Sequence, residues 1–196
     1  MSKKIYCIRH GRALHNILFE KYGKNIFFNS SYIDTPLVPE GVNQAINLGK
    51  YWDKINEIQL VIVSPLKRTL DTAVHIFKGV DVPILSLDYC REYPLGLHTC
   101  NKRTTLDELQ IMYPHIQFKD FKTNYDELWY PEREETIDEL NKRITKTFEF
   151  IKYRSEQNIA FVNHNSFIEK MKDNHISYIE NGEKEFKHCS PYLIEL

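Results

Sequence analysis

The feature that most constrains this chain is a set of four short, almost uninterrupted aliphatic runs. They cover residues 5–8, 59–63, 83–87 and 159–162. Polar and apolar residues do not alternate in these runs, which is typical of strands covered on both faces, as in a parallel sheet between helices. Residues 192–194 indicate a further strand at the edge of the sheet.

Helical patterns lie between these runs. In residues 40–55, 66–77 and 137–153, apolar side chains recur every three or four positions and would form one buried stripe on a helix. The second pattern follows Ser64 and Pro65, a suitable N-cap and first helical residue. The alternation of strands and helices predicts a three-layer α/β protein with a mostly parallel central sheet, in one domain over 196 residues.

Residues 90–135 depart from this pattern. They are rich in Tyr, His, Asp, Pro and Arg and offer one short helical pattern, at residues 105–112. A long segment of this kind between core elements is more often functional than passive. We therefore predict that residues 90–135 form a cap or lid within the domain.

The composition excludes several classes of protein. With 26 Lys+Arg against 27 Asp+Glu, the net charge of −1 argues against binding of nucleic acid through overall charge. The four cysteines form no CxxC pair, as expected for reduced thiols in the cytoplasm. No apolar run approaches the ~20 residues that span a bilayer. We expect a cytoplasmic protein that binds neither nucleic acid nor membranes.

Two of the predicted strands end in a histidine. His10 follows Arg9 after the first strand, and His164 follows Asn163 after the fourth. The second strand ends at Ser64, with Arg68 in the first turn of the next helix. Ligands of parallel α/β sheets bind at the carboxyl ends of the strands. Imidazoles and guanidiniums gathered there at a helix N-terminus predict an anion site, and phosphate is the obvious anion.

Four blocks of the sequence resemble the histidine phosphatase superfamily, which has the phosphoglycerate mutase-like fold. The blocks stand in the family's order: Arg9-His10-Gly11 with Asn16, then Asp34-Thr35-Pro36-Leu37, then residues 64–73 (SPLKRTLDTA), then Phe161-Val162-Asn163-His164. The middle of the chain is most similar to eukaryotic phosphoglycerate mutase-like phosphatases. The resemblance spans about residues 5–170.

The resemblance implies a role for each matched residue. His10 would be the nucleophile that forms a phosphohistidine, and Glu92 would protonate the leaving group and then activate water. The remaining groups would bind the phosphoryl oxygens, with Asn16 as a neutral donor beside the charged or basic Arg9, Arg68 and His164.

Other assignments stay open at this point. Asp126, Glu127, Glu134 and Glu135 are rivals of Glu92 for the general acid. Arg12 would make the rim of the pocket more cationic. The leaving-group side would be lined by His98, Lys102 and Arg103, which would favour substrates with a second negative charge.

The function expected from these residues is metal-independent hydrolysis of a small-molecule phosphomonoester, with no cofactor. No His, Asp or Glu cluster has metal-ligand spacing, and the arginines supply positive charge. Two alternatives remain: a phosphoglycerate mutase, which returns the phosphoryl group to another hydroxyl, and a catalytically silent module that binds a phosphorylated ligand. The sequence predicts no oligomeric state.

Overall fold

A computed structural model describes residues 2–175 and 186–196, without the side chains of residues 173–175. Its centre is a six-stranded sheet in the order β4-β3-β2-β5-β1-β6. The first five strands run parallel, and β6 pairs antiparallel with β1 at one edge. The strands are β1 Lys4–Arg9, β2 Leu60–Val63, β3 Ile84–Leu87, β4 Ile116–Lys119, β5 Asn158–Asn163 and β6 Pro191–Glu195. The four predicted strands and the predicted edge strand are confirmed.

Helices cover both faces of the sheet, which confirms the three-layer prediction. The helices are α1 Leu14–Tyr22, α2 Pro39–Tyr51, α3 Lys67–Ile76, α4 Leu106–Met112, α5 Ile137–Lys152 and α6 Asn165–His175. Alternate residues of β1 enter different cores because successive side chains of a strand point to opposite faces. Ile5 and Cys7 pack with residues of α5 and α6, whereas Tyr6 and Ile8 pack with residues of α2 and α3.

The start of α3 differs from the prediction. Leu66 is the N-cap residue, and the first helical residue is Lys67. The Lys67 amide donates to Asp34 Oδ1 at 2.8 Å. A carboxylate from a distant loop therefore accepts from the start of α3, as the Ser64 side chain was expected to do. The Ser64 hydroxyl is left to make a different contact, at the carboxyl edge of the sheet.

The segment 90–135 needs one correction. Its residues Ile116–Lys119 are β4, which pairs parallel with β3 and forms the other edge of the central sheet. The predicted short helix is confirmed as α4. The description as a cap therefore applies only to the rest of the segment, for which it stays a prediction.

In the described part of the chain, no helix has both the length and the apolar character needed to cross a membrane.

Candidate active site

Three neighbouring strands bring the predicted residues together. The sheet places β5 between β2 and β1, with Arg9 level with Asn163 in the β1–β5 register. The residues that follow these strands, His10, Ser64 and His164, therefore meet at one edge of the sheet. The ring centroids of His10 and His164 lie 5.2 Å apart.

The His10 imidazole is held with one nitrogen available. Its Nδ1 lies 2.7 Å from the Gly11 carbonyl oxygen, which can only accept, so Nδ1 carries the proton. Burial, reinforced by the positive Arg68 and by His164, holds the pKa of His10 well below its usual range. The neutral ring therefore carries its lone pair on Nε2, as a nucleophile needs.

The loop that carries His10 depends on close contact between two backbones. A Cβ added to Gly11 would lie 2.5 Å from the Gly41 carbonyl oxygen at the start of α2, and a Cβ on Gly41 would lie 2.0 Å from the Arg12 carbonyl oxygen. Only glycine fits at both positions. The Gly11 amide also donates to Thr72 Oγ1 on α3 at 3.0 Å, which fixes the loop against the helix that carries Arg68.

Arg68 is buried and has only neutral partners among the residues that the structure describes. Its Nη1 donates to the Cys100 carbonyl at 2.7 Å, its Nη2 to Asn101 Oδ1 at 2.9 Å, and its Nε to His164 Nδ1 at 3.3 Å. The side chain is 1% exposed, and no described carboxylate forms an ion pair with it. A buried guanidinium without a counter-ion is costly, so this position favours an anionic ligand.

His164 lies beside Arg68 as a neutral imidazole. Because Nδ1 accepts from Arg68, the proton of the neutral ring lies on Nε2, which is 2.7 Å from Ser64 Oγ. Burial and the charge of Arg68 hold the pKa of His164 well below its usual range. The Ser64 hydroxyl thus orients the second histidine instead of capping α3.

Glu92 is half-buried and is held by two backbone amides. Its Oε1 accepts from the Tyr93 amide at 2.8 Å and from the Phe167 amide, in the first turn of α6, at 3.2 Å. Burial raises the pKa of Glu92, and these hydrogen bonds together with Arg68 and Arg9 only partly oppose the rise. Since Oε1 is occupied by two donors, Oε2 is the oxygen that would carry a proton.

The four rivals of Glu92 have other partners or lie elsewhere. Asp126 pairs with Arg91 at 2.5 Å, and Glu135 pairs with Arg143 at 2.5 Å. Glu134 lies 3.4 Å from His98, and Glu127 lines a separate cavity beside Asp88. None of these carboxylates forms a described contact with His10, His164 or Arg68.

Arg9, Asn16 and His188 line a cleft of about 680 Å³. Asn16 Oδ1 accepts from the Ala13 amide at 2.9 Å, which turns the amide nitrogen of the side chain toward donation to a ligand. Arg9 Nη1 donates to the Phe186 carbonyl at 2.9 Å. Both residues are therefore held in the wall of this cleft.

None of the residues predicted for the leaving-group side, His98, Lys102 and Arg103, lines this cleft, and neither does Arg12, which was predicted for the rim. Arg103 is buried and donates to Asp88 at 3.2 Å and to four backbone carbonyls, so its charge is already matched. Lys102 lies 4.8 Å above the Trp129 ring, and Arg12 pairs with Glu20 and Glu40. His98 stacks against Phe27, with the ring centroids 4.9 Å apart.

Two histidines that the sequence analysis did not single out lie beside His10. His15 is buried on α1, with Nδ1 2.8 Å from Thr35 Oγ1 and its ring centroid 5.7 Å from that of His10. His188 lies 5.5 Å from His10 by the same measure, and its Nδ1 donates to the His10 carbonyl at 2.5 Å. His188 precedes β6 and forms an isolated parallel bridge with Arg9, and the Cys189 amide donates to the Arg9 carbonyl at 2.9 Å, so contacts with the end of β1 bring His188 here. Among the described residues, no group of three or more His, Cys, Asp or Glu side chains is arranged to hold a metal ion.

Comparisons with known proteins agree with this geometry. Phosphoglycerate mutase-like protein 1 from Arabidopsis thaliana is 32% identical, over 85% of this chain and 69% of its own. The alpha-ribazole phosphatase from Shigella flexneri has a similar structure, with a TM-score of 0.57 at 21% identity, over 84% of this chain and 75% of its own. The ecdysone phosphate phosphatase from Bombix mori, solved with tungstate, has a TM-score of 0.56 at 16% identity, over 96% of this chain and 87% of its own. The sequence model of the histidine phosphatase superfamily (branch 1) matches residues 5–178, and the chain therefore belongs to this family.

Proposed function

We propose that this protein hydrolyses small phosphomonoesters through a phosphohistidine on His10. The observation that carries the proposal is the buried Arg68, which has only neutral described partners and lies beside two neutral histidines. A dianionic phosphoryl group would supply the missing counter-charge. The two similar structures are phosphatases by name, which supports hydrolysis over isomerisation.

The first step transfers the phosphoryl group to the enzyme. The lone pair of His10 Nε2 attacks phosphorus while the P–O ester bond breaks and its electron pair leaves with the oxygen. The protonated Glu92 gives its proton to this oxygen, and the alcohol departs. Arg9, Arg68 and Asn16 would hold the non-bridging oxygens, and His164 would join them by donating its Nε2–H to a phosphoryl oxygen in place of Ser64 Oγ. Such positioning supplies most of the catalysis of phosphoryl transfer.

The second step returns the enzyme to its starting state. Ionised Glu92 takes a proton from water, the resulting oxygen attacks phosphorus, and the P–N bond breaks with its electron pair returning to Nε2. Inorganic phosphate leaves, and Glu92 is again protonated. The guanidiniums supply the positive charge that this chemistry needs, so chelation by EDTA should leave kcat unchanged.

The test of the nucleophile is His10→Ala. Turnover should fall by several orders of magnitude, and wild-type protein quenched during turnover should carry acid-labile phosphate. His115→Ala, at an exposed position, is the matched control and should retain full activity. Release of free phosphate without added 2,3-bisphosphoglycerate separates a hydrolase from a mutase. Activity that survives loss of His10 would overturn the mechanism.

The test of the general acid is Glu92→Gln, which keeps the size of the side chain but cannot give up a proton. A general acid contributes about 10²–10⁴-fold where the leaving group needs a proton. Rapid-quench measurement of the first step should therefore show a large loss for an alkyl phosphate and a small one for nitrophenyl phosphate, whose leaving anion is stable. Glu134→Gln is the control. Equal losses for the two substrates would leave Glu92 with a binding or structural role only.

A further inference from the structure

We propose that the site takes substrates whose leaving group carries a planar aromatic ring, which stacks on Phe19. The inference rests on the proposed function, since it concerns the part of the substrate beyond the phosphoryl group. Phe19 lies on α1, one turn after Asn16, and lines the same cleft as Arg9, Asn16 and His188. The cleft therefore extends from two of the residues proposed to hold the phosphoryl group to an aromatic ring.

The cleft is much larger than a phosphoryl group requires. Its volume is about 680 Å³, and pockets of this order hold whole drug-sized ligands. With the phosphoryl group at Arg9 and Asn16, most of this space is left for the leaving group. Phe19 is 40% exposed and lines the cleft, so part of its ring is accessible to a ligand there.

The ring of Phe19 belongs to an ordered stack. Its centroid lies 5.3 Å from that of Phe27 with an angle of 11° between the planes, and Phe27 lies 4.9 Å from His98 with an angle of 28°. Phe27 thus joins α1 to the segment that carries His98. Offset parallel packing is a favoured geometry of aromatic pairs, and a planar ligand ring would extend the stack by one layer.

Hydrogen bonds hold this stack in place before a ligand binds. Thr99 Oγ1 lies 3.1 Å from the Phe27 carbonyl and 2.8 Å from that of Asn29, and Trp129 Nε1 donates to the His98 carbonyl at 3.0 Å. Hydrogen bonds from neighbouring side chains therefore fix the backbone of the middle layer, Phe27, and of one outer layer, His98. A prearranged surface loses little conformational freedom on binding, which favours affinity.

The charges around the stack do not favour a second anion. Arg103 already donates to Asp88 and to backbone carbonyls, and the Lys102 ammonium lies over the Trp129 ring. Glu20, which also lines the cleft, adds negative charge beside Phe19 and pairs with Arg12. Lys187 and Glu20 line the cleft with opposite charges, so an uncharged ring fits this part of it at least as well as the second negative charge that the sequence analysis expected.

The test compares two non-hydrolysable ligands, 3-phenylpropylphosphonate and 3-cyclohexylpropylphosphonate. They differ only in whether the ring is planar and aromatic, and hydrophobic burial alone would favour the bulkier cyclohexyl compound. Dissociation constants are measured by calorimetry for the wild type, for Phe19→Leu, and for the control Tyr22→Leu. Tyr22 is on the same helix and is 56% exposed, but it does not line the cleft.

The wild type and Tyr22→Leu should bind the phenyl compound about three- to tenfold more tightly than the cyclohexyl one. Phe19→Leu should abolish this preference. Equal affinities in the wild type, a preference that survives in Phe19→Leu, or no binding of the phenyl compound by protein that binds tungstate would overturn the inference. Because these ligands are not hydrolysed, absence of turnover with intact ring selectivity would overturn the hydrolase proposal alone. Failure to bind even tungstate would overturn both.

Discussion

Buried arginines occur in two regions of this molecule, and their partners differ. Three of them lie in the segment 90–135 or contact it, and each pairs with a buried carboxylate. Arg91 pairs with Asp88 and Asp126, Arg103 pairs with Asp88, and Arg143 pairs with Glu135. Arg68, at the carboxyl edge of the sheet, is as deeply buried but donates only to a carbonyl, an amide oxygen and an imidazole among described groups.

The difference separates structural charges from functional ones. A guanidinium whose counter-ion is part of the fold stabilises the native state through a closed pair. A guanidinium without an internal counter-ion leaves its charge for a ligand, at some expense to stability. Burial of a charged residue is therefore not enough to identify a functional site, whereas burial without a carboxylate partner is informative. Four predictions test this distinction.

The largest expected effect is on turnover. Arg68→Met keeps the length of the side chain but removes the charge that would balance the phosphoryl oxygens, and kcat/KM should fall by about 10³-fold or more. The free energy of unfolding in the absence of anions should change much less than in the corresponding variant at Arg143. An Arg68→Met protein that keeps its activity would show that the charge does not serve the ligand.

The second effect is on stability. Arg143→Met leaves Glu135 buried without its partner, and breaking a buried pair in this way costs about 3–5 kcal/mol. Urea denaturation measures the loss. A double variant, Arg143→Met with Glu135→Leu, removes both charges and should recover much of it. A loss below about 1 kcal/mol in the single variant would contradict a structural role for this pair.

The sequence predicted the central strands better than the edges. Strands β1, β2, β3 and β5 are aliphatic because both faces are covered, a local signal that residue type alone reports. β4 has the sequence Ile-Gln-Phe-Lys within a polar segment, and only its pairing with β3 makes it a strand. The prediction of Ser64 as the N-cap of α3 was wrong for a related reason, because Asp34 reaches the start of this helix from a distant part of the chain.

Prediction of the site residues was limited in the same way, by contacts between distant parts of the chain. His10 and His164 could be predicted to meet because parallel strands bring their carboxyl ends to one edge. His188 could not, because it reaches His10 through a bridge to Arg9 that joins distant parts of the chain. Arg103 looked as suitable as Arg68 for binding an anion. Only the tertiary structure shows that Asp88 already meets it.

The third prediction concerns anion binding. Tungstate resembles the phosphoryl group and should bind where Arg68 lacks a counter-ion. A ligand that binds only the native state stabilises it by about 2.7 kcal/mol at a concentration of 100 times Kd. The Tm should rise with tungstate in the wild type and in Arg143→Met, but not in Arg68→Met. Equal shifts in all three proteins would place the anion elsewhere.

The last and smallest effect concerns the imidazoles around Arg68. Burial, together with the charge of Arg68, holds the pKa values of His10, His15 and His164 well below the usual range. These rings therefore stay neutral in the native state. In the unfolded chain, the same histidines take up protons below about pH 6.5. The unfolded state then binds more protons, so stability rises with pH and is lost as pH falls through this value.

The measurement is the free energy of unfolding by urea between pH 7.0 and 5.5. The interval ends there because the raised pKa values of Glu92 and Asp34 add the opposite dependence at lower pH. Each buried histidine contributes at most about 1.4 kcal/mol per pH unit. His15→Gln retains a hydrogen-bonding group for Thr35 but cannot titrate, so it should lose about 1.4 kcal/mol less than the wild type over this interval. Identical pH dependences for the two proteins would mean that His15 is protonated in the native state, and that Arg68 does not keep its neighbours neutral.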